Sequence, residues 1–138
     1  MNHQAEISGQ CLCGAVKIFT DTCDQNVGVC HCSMCRQWTS GPFFTVGCGE
    51  SLRFEGAENI TRYTSSEYGD RGFCNQCGST LFYHFKPKDS YFLSVGLFGS
   101  KTDFVFEHEI FIDEKPSFYD FANDTKKMTG AEVIAAES

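Results

Sequence analysis

Two cysteine pairs, far apart in the sequence, constrain the fold of this chain more than any other feature. "GQCLCGAV" places Cys11 and Cys13 beside a β-like run, and "GFCNQCGST" places Cys74 and Cys77 just before Gly78. In an extended chain residues i and i+2 face one side, and a C-x-x-C turn that ends in glycine is typical of a zinc knuckle. The two pairs together predict one closed four-thiolate site, which would clamp the intervening segment as a large loop. The alternative is two unrelated pairs of core cysteines.

A second cluster lies in "VCHCSMC", residues 29–35, which contains Cys30, Cys32 and Cys35. The first two are separated by one residue, the third begins a short predicted helix, and all three can converge on one ion. Three protein ligands with a vacant position are typical of a catalytic zinc, whereas four are typical of a structural one. The alternatives are a fourth ligand from elsewhere in the chain or a labile site without a role.

The remaining cysteines and three of the histidines are the candidates for that fourth ligand: Cys23, Cys48, His31, His84 and His108. His31 should point away from its flanking cysteines if the segment is extended, so we interpret it as a packing group or a support for the ligands. Cys48 lies between glycines and is predicted to be a free thiol. Cys23 lies beside acidic residues, which should raise its pKa. His84 is predicted to be an ordinary strand residue.

Composition and charge limit the class of protein. Nine cysteines, an odd number, and an N-terminus "MNHQAEISGQ" without a basic-then-apolar signal pattern favour metal or thiol chemistry over disulfides. We therefore expect a cytoplasmic protein, and the short apolar runs predict no membrane span. The formal charge of −7 argues against generic nucleic-acid or anionic-membrane binding. An anionic ligand would need local cations, for which Arg36 is the first candidate and Arg71 the second.

The sequence pattern is typical of β-strands. Runs rich in Val, Ile, Phe, Tyr and Thr, such as "AVKIF", "TLFYHF" and "FVFEHEIFI", are separated by Gly, Asp, Asn and Pro. We predict a mainly β fold in a single domain over 1–138, with its core at about 7–121 and a surface tail at 122–138. One or two helical turns are expected after a Ser33 cap, and a frayed turn near the C-terminus.

The order of these clusters resembles that of the GFA family, the glutathione-dependent formaldehyde-activating enzyme and its relatives. The stretches that carry the resemblance are "GQCLCGAV" (9–16), "CHCSMCRQWTSG" (30–41), "RGFCNQCGSTLF" (71–82) and "EIFIDEKPSFYDF" (109–121). Two positions depart from the family pattern. A histidine often stands at the place of Glu109, where the nearest histidine here is His108, and a tryptophan is common at the place of Phe118.

The resemblance implies a β-tent, in which short, mostly antiparallel strands are knitted together by zinc. It implies two zinc ions per chain, a structural one on the first set of cysteines and a catalytic-type one on the second: Cys11, Cys13, Cys74 and Cys77, then Cys30, Cys32 and Cys35. The family's name-giving reaction joins glutathione and formaldehyde into S-hydroxymethylglutathione, and the enzyme is classed as a carbon–sulfur lyase. Glutathione or another small thiol is therefore the expected partner.

Three functions remain open from the sequence. The favoured one is a lyase whose open zinc captures a thiol, because three thiolates leave the metal a weak Lewis acid for activating water. Arg36 would contact the anionic thiol, and Trp38 with the phenylalanines of "GPFF" could wall a pocket. The second is a non-catalytic zinc module that binds a protein partner. The third is a redox or metal sensor that uses Cys23 or Cys48 with a labile zinc.

Overall fold

The computed structural model describes residues 6–21, 24–48, 51–99 and 103–137, apart from the side chain of Glu137. Strands dominate it, so the predicted mainly β architecture is confirmed. The strands are β1 Ile7–Gln10, β2 Lys17–Thr20, β3 Asn26–Cys30, β4 Phe43–Cys48, β5 Arg53–Glu55, β6 Ile60–Ser66, β7 Gly69–Cys74, β8 Thr80–Phe85, β9 Ser90–Ser94, β10 Val105–Ile110 and β11 Lys126–Met128. The α-helices are α1 Ser33–Thr39 and α2 Gly130–Glu137.

The first of two compact units comprises residues 1–24 and 45–102. In it β1, β2 and β5 form an antiparallel sheet in that order. A second run of antiparallel pairs joins β4 to β9, β9 to β8, β8 to β7 and β7 to β6. The rings of Phe54 and Phe82 lie 5.6 Å apart, and Ile18, Phe82 and Leu93 are completely buried. Aromatic and β-branched side chains at alternating strand positions thus supply this core.

The second unit comprises residues 25–44 and 103–138. Its central strand, β10, runs parallel to β3 on one side and to β11 on the other. Parallel strands require long connections, which the residues between β3 and β10 provide. Phe44, Phe106 and Phe121 pack together with ring centroids 5.0–5.5 Å apart. This unit carries the "VCHCSMC" segment at the end of β3.

The helix α1 begins one residue earlier than its predicted cap implies. Cys32, with extended backbone angles, is the N-cap, and its sulfur accepts a hydrogen bond from the Cys35 N–H. Ser33 is therefore the first helical residue, so its prediction as the cap is wrong. A thiolate or thiol sulfur takes the position usually filled by a serine or aspartate oxygen because the cysteine turn already holds it there.

The segment 122–138, expected to form a surface tail, contributes a strand and a helix. β11 pairs with β10 in the register Glu109 to Lys127. The helix α2 starts with a capping box, because Thr129 Oγ1 accepts from the Glu132 N–H at 3.2 Å and Glu132 Oε1 accepts from the Thr129 N–H at 2.8 Å. The frayed turn predicted here is an eight-residue helix.

Within the described ranges the two helices have seven and eight residues. Neither they nor any other described helix reaches the length and apolar character that a membrane crossing requires.

Candidate metal centres

Four cysteine sulfurs meet in the first unit. Cys11 and Cys13 follow β1, Cys74 ends β7, and Cys77 lies in the turn after it. The Sγ atoms of Cys11 and Cys13 are 3.7 Å apart, those of Cys13 and Cys74 are 3.8 Å apart, and all four lie within 4.8 Å of one another. The structure thus brings together the two pairs that the spacing predicted would share a site.

Tight turns hold both pairs in place. Gly14 and Gly78 have φ values of 81° and 80°, which side-chain-bearing residues rarely adopt. The Gly78 N–H donates to the Cys74 carbonyl oxygen at 2.7 Å, which closes the C-x-x-C turn. Backbone N–H groups of Val16 and Gln76 point at the sulfurs of Cys11 and Cys74, at 3.3 and 3.4 Å. These donors favour negatively charged sulfur.

The four thiols of this cluster do not ionise equally, because a thiolate at one sulfur opposes a second negative charge on its neighbours. Hydrogen bonds from Ser79 lower the pKa of Cys77 to about 5. The Ala15 N–H favours the Cys13 thiolate, yet burial and the three other thiols outweigh it and raise the pKa of Cys13 to about 11. One sulfur ionises readily while its neighbour resists a second negative charge. A soft divalent cation removes that repulsion, so the donor set fits zinc.

Three cysteine sulfurs meet in the second unit. Cys30 ends β3, Cys32 caps α1 and Cys35 lies in the first turn of that helix, with the three sulfurs within 4.8 Å of one another. Cys32 and Cys35 are buried and Cys30 is half-buried. Hydrogen bonding with Cys32 and Cys35, together with burial, raises the pKa of Cys30 far above its usual range. A cation in contact with all three sulfurs would reverse that shift, so this donor set also fits a metal ion.

No histidine, cysteine, aspartate or glutamate of the described ranges completes this three-cysteine cluster. His84 pairs with Asp89 at 2.6 Å and stacks on the Tyr91 ring at 4.2 Å, as expected for a strand residue. His108 lies over Gly28 and bonds to Glu107 at 2.8 Å. Among the candidates proposed from the sequence, Cys23 lies outside the described residues.

His31 points away from the cysteines that flank it, as predicted. It is completely buried, with Nε2 2.8 Å from Glu109 Oε1 and Nδ1 2.7 Å from the Tyr119 hydroxyl. Glu109 is also buried, and its second oxygen accepts from Thr125 Oγ1 at 2.5 Å. Lys127 Nζ lies 3.7 Å from the same oxygen. The cysteine turn therefore has a buried polar network directly behind it.

The pKa values in this network follow from burial and charge. Burial opposes ionisation of Glu109, but hydrogen bonds from Thr125 and His31 and the charge of Lys127 outweigh it and lower the pKa of the carboxyl. Burial raises the pKa of Tyr119, against a lowering by the charge of Arg36. Glu109 is thus an anion that the surrounding donors stabilise inside the unit.

Comparison with known proteins identifies the family. A family model described as glutathione-dependent formaldehyde-activating enzyme, GFA, matches residues 6–114. The chain belongs to the GFA family.

Two relatives accompany that match. A protein of Schizosaccharomyces pombe described as an uncharacterized lyase is 36% identical over 130 residues, which cover 94% of this chain and 95% of the relative. A crystal structure of a Rhodobacter sphaeroides protein is 25% identical with a TM-score of 0.60, and the match covers 70% of this chain and 91% of that one. The range matched to the GFA family contains all seven clustered cysteines and the His31–Glu109 pair, whereas Tyr119, Thr125 and Lys127 follow it.

Most of the hydrogen-bond network behind the cysteine turn could not be predicted from the sequence. The sequence marks Glu109 only as a departure from the family pattern and predicts no role for Tyr119 or Thr125. The segment "FVFEHEIFI" carries Glu107, His108 and Glu109 in succession, so no local pattern marks Glu109 as the buried acid. The pairing of β11 with β10, which brings Thr125 and Lys127 alongside, leaves no local signal either.

Two other side chains, Cys48 and Arg71, differ in their surroundings from what the sequence suggested. Cys48 is disulfide-bonded, so its prediction as a free thiol is wrong. Arg71 is buried, donates from Nε to Ser65 Oγ at 3.1 Å and lies over the Tyr83 ring at 5.1 Å. These contacts use Arg71 inside the first unit, so it is unsuited to meet a ligand.

Arg36 lies at the cysteine turn. Its Nε donates to the His31 carbonyl oxygen at 2.9 Å, which fixes the guanidinium beside the segment that carries the three sulfurs. Trp38 packs edge-on against Phe43 with ring centroids 5.3 Å apart, so the aromatic residues after the turn form a packed wall.

Proposed function

We propose that this GFA-family protein is a zinc-dependent carbon–sulfur lyase. It makes and breaks the bond between a small thiol such as glutathione and the carbon of an aldehyde such as formaldehyde. The observation that supports this most strongly is the cluster of Cys30, Cys32 and Cys35, in which three sulfurs converge without a fourth described protein ligand. Such a donor set leaves room for a substrate atom.

The proposal includes two zinc ions per chain. One is held by the four cysteines of the first unit and one by the three of the second: Cys11, Cys13, Cys74 and Cys77, then Cys30, Cys32 and Cys35. Zinc at the second site would lower the pKa of a substrate thiol. The cytoplasm is the proposed location, since ligand cysteines must be reduced to bind metal.

The reaction needs no oxidant. In the addition direction the thiol sulfur forms a bond to the aldehyde carbon and the thiol proton passes to the carbonyl oxygen, and cleavage reverses both changes. The chain contributes by holding the two reactants together at the turn, where orientation alone lowers a barrier by several kcal/mol. Arg36, which the His31 carbonyl fixes beside the turn, is the proposed cationic contact for an anionic thiol.

The test compares the wild-type protein with Cys32→Ser and with Ser33→Ala, a neighbouring change that leaves all sulfurs in place. Elemental analysis should give two zinc ions per chain for wild type and Ser33→Ala, and one for Cys32→Ser. NMR exchange spectroscopy with ¹³C-formaldehyde and glutathione should show accelerated adduct exchange for the first two and none for Cys32→Ser. An unchanged rate in Cys32→Ser would contradict the proposal. A wild-type protein that holds two zinc ions without accelerating exchange would favour the non-catalytic interaction module.

A further inference from the structure

A cavity of about 280 Å³ opens in the second unit. Its lining consists of Glu109, Ile112, Lys115, Asp120, Phe121 and Lys127. Pockets for whole drug-sized ligands start at about 300 Å³, so this volume suits one end of a larger molecule. Two ammonium groups, two carboxylates and two apolar side chains make up the wall, which is the composition expected for a small charged group on an organic stem.

Lys127 has positive charge available to a ligand. The buried carboxylate of Glu109 already accepts from His31 and Thr125, and the Lys127 Nζ stands 3.7 Å from it, beyond ordinary hydrogen-bond distance. Nζ instead donates to the neutral Thr125 Oγ1 at 3.1 Å. The Lys127 side chain is about half exposed, at 49%, and can reorient toward a bound anion.

Lys115 is held more firmly, by a partner that a ligand can replace. Its Nζ lies 2.8 Å from Asp120 Oδ1, donates to the Pro116 carbonyl oxygen at 3.0 Å, and is only 13% exposed as a side chain. The Asp120 side chain is 84% exposed. Because the Asp120 carboxylate lies mostly in water, it remains solvated when it leaves Lys115, so a carboxylate bound inside the cavity can take its place.

Two contacts attach this cavity wall to the cysteine turn. Glu114, next to Lys115, accepts from the Ser33 N–H at 3.0 Å, directly after Cys32. Lys115 Nζ also lies 5.0 Å from the Tyr119 ring centroid, and the Tyr119 hydroxyl is 2.7 Å from His31 Nδ1. The part of the wall that carries Lys115 therefore adjoins the segment that carries Cys30 and Cys32, within the same unit.

We propose that this cavity binds the carboxylate end of the thiol substrate, with Lys115 and Lys127 as its cationic contacts. The inference rests on the proposed function for the thiol at the other end of the ligand. It explains how a protein of net charge −7 accepts an anionic thiol, because two local ammonium groups meet the carboxylate. The apolar faces of Ile112 and Phe121 would contact the stem that links carboxylate and thiol.

The test uses S-methylglutathione, which keeps both carboxylates and has no free thiol. Calorimetric titration of the zinc-loaded protein should show binding to wild type, with affinity about tenfold weaker in Lys115→Gln and in Lys127→Gln, the loss typical of one charge-assisted hydrogen bond. Lys126→Gln is the matched control. Lys126 is exposed, adjoins Lys127 in β11 and pairs with His108 rather than Glu109. The affinity of Lys126→Gln for S-methylglutathione should equal that of wild type.

The outcomes separate this inference from the proposed function. Equal affinity in all three variants, or no binding to wild type, would overturn the cavity assignment. Binding that weakens as expected in a protein that accelerates no adduct exchange would overturn the lyase while supporting the cavity as a carboxylate site. Where exchange is accelerated, the KM for glutathione should rise in both cavity variants and the KM for N-acetylcysteamine, which lacks a carboxylate, should not. An equal rise in KM for both thiols would mean that the lysines support the fold rather than bind the carboxylate, and would overturn the inference.

Discussion

His31 Nε2 and Glu109 Oε1 lie 2.8 Å apart, and both side chains are almost completely removed from solvent. His31 stands between two of the clustered cysteines, while Glu109 comes from β10, 78 residues later in the chain. Because a buried carboxylate is costly without donors, this contact ties the cysteine turn to β10. The geometry of the turn and the stability of the second unit are thereby linked.

Glu109→Gln tests that link. The change removes the charge and preserves the shape, so we expect the free energy of unfolding to fall by about 1.5–3 kcal/mol, the range for hydrogen bonds to charged groups. Urea unfolding of the metal-loaded protein measures it. Glu107→Gln is the control, since Glu107 is half exposed and its carboxylate contacts the neighbouring His108 at 2.8 Å. It should change stability by less than about 0.5 kcal/mol. Equal effects of the two substitutions would contradict a buried role for Glu109.

The pH dependence of stability should also show the contribution of the ionised Glu109 carboxylate. The pKa of Glu109 is below its usual 4.5 in the folded protein. A depressed carboxyl pKa stabilises the fold fully above the unfolded value and progressively less as pH falls through the folded value. The difference in urea midpoint between wild type and Glu109→Gln should therefore be largest near neutral pH and shrink below about pH 4.5. Any loss of bound metal in acid affects both proteins, so the difference isolates Glu109. A difference that stays constant from pH 7 to pH 3 would speak against this account.

The two cysteine clusters should differ in how much they stabilise the fold. Cys13 and Cys74 are 61 positions apart, whereas Cys30 to Cys35 form one local turn. A cross-link that closes a long loop restricts the unfolded chain more than a local one. We therefore expect Cys74→Ser to lower the melting temperature by roughly 10 °C or more, as a loss of about 3 kcal/mol implies, and Cys32→Ser to lower it much less. Differential scanning calorimetry measures the two melting temperatures, and zinc analysis of each variant shows which site has lost its metal. A larger loss in Cys32→Ser would reverse the structural and catalytic assignments.

The cysteine clusters could be found from the sequence because their geometry is local. An i, i+2 pair and a C-x-x-C-G turn specify where the sulfurs point, and alternation along an extended segment turns His31 away from them. The network behind the turn depends instead on which strand lies beside which. Nothing local in "KKM" predicts that these residues pair in parallel with His108–Ile110 and bring Thr125 to Glu109. Long-range parallel pairing is set by the packing of the whole unit, so these contacts emerge only from the structure.

Gly28 offers a test of the packing of His108, which lies on the cysteine side of β3. A Cβ added at Gly28 would stand 2.1 Å from His108 Nε2 and 2.5 Å from its Cε1, so the imidazole lies flat against the glycine. Gly28 and Cys30 face the same side of the strand because they are two residues apart. Gly28→Ala must therefore displace the ring, and overpacking of this kind costs about 1–3 kcal/mol.

The double variant separates steric displacement from a general effect of alanine in β3. His108→Ala alone removes a half-buried ring that contacts the exposed Glu107 carboxylate, and should cost about 1 kcal/mol or less. Adding Gly28→Ala to His108→Ala should cost nothing further, because the methyl group then fills the space that the imidazole left. The coupling energy from urea unfolding of the four proteins should thus approach the whole cost of Gly28→Ala. Additive costs would mean that the ring does not rest on Gly28, and that the cysteine face of β3 is open there.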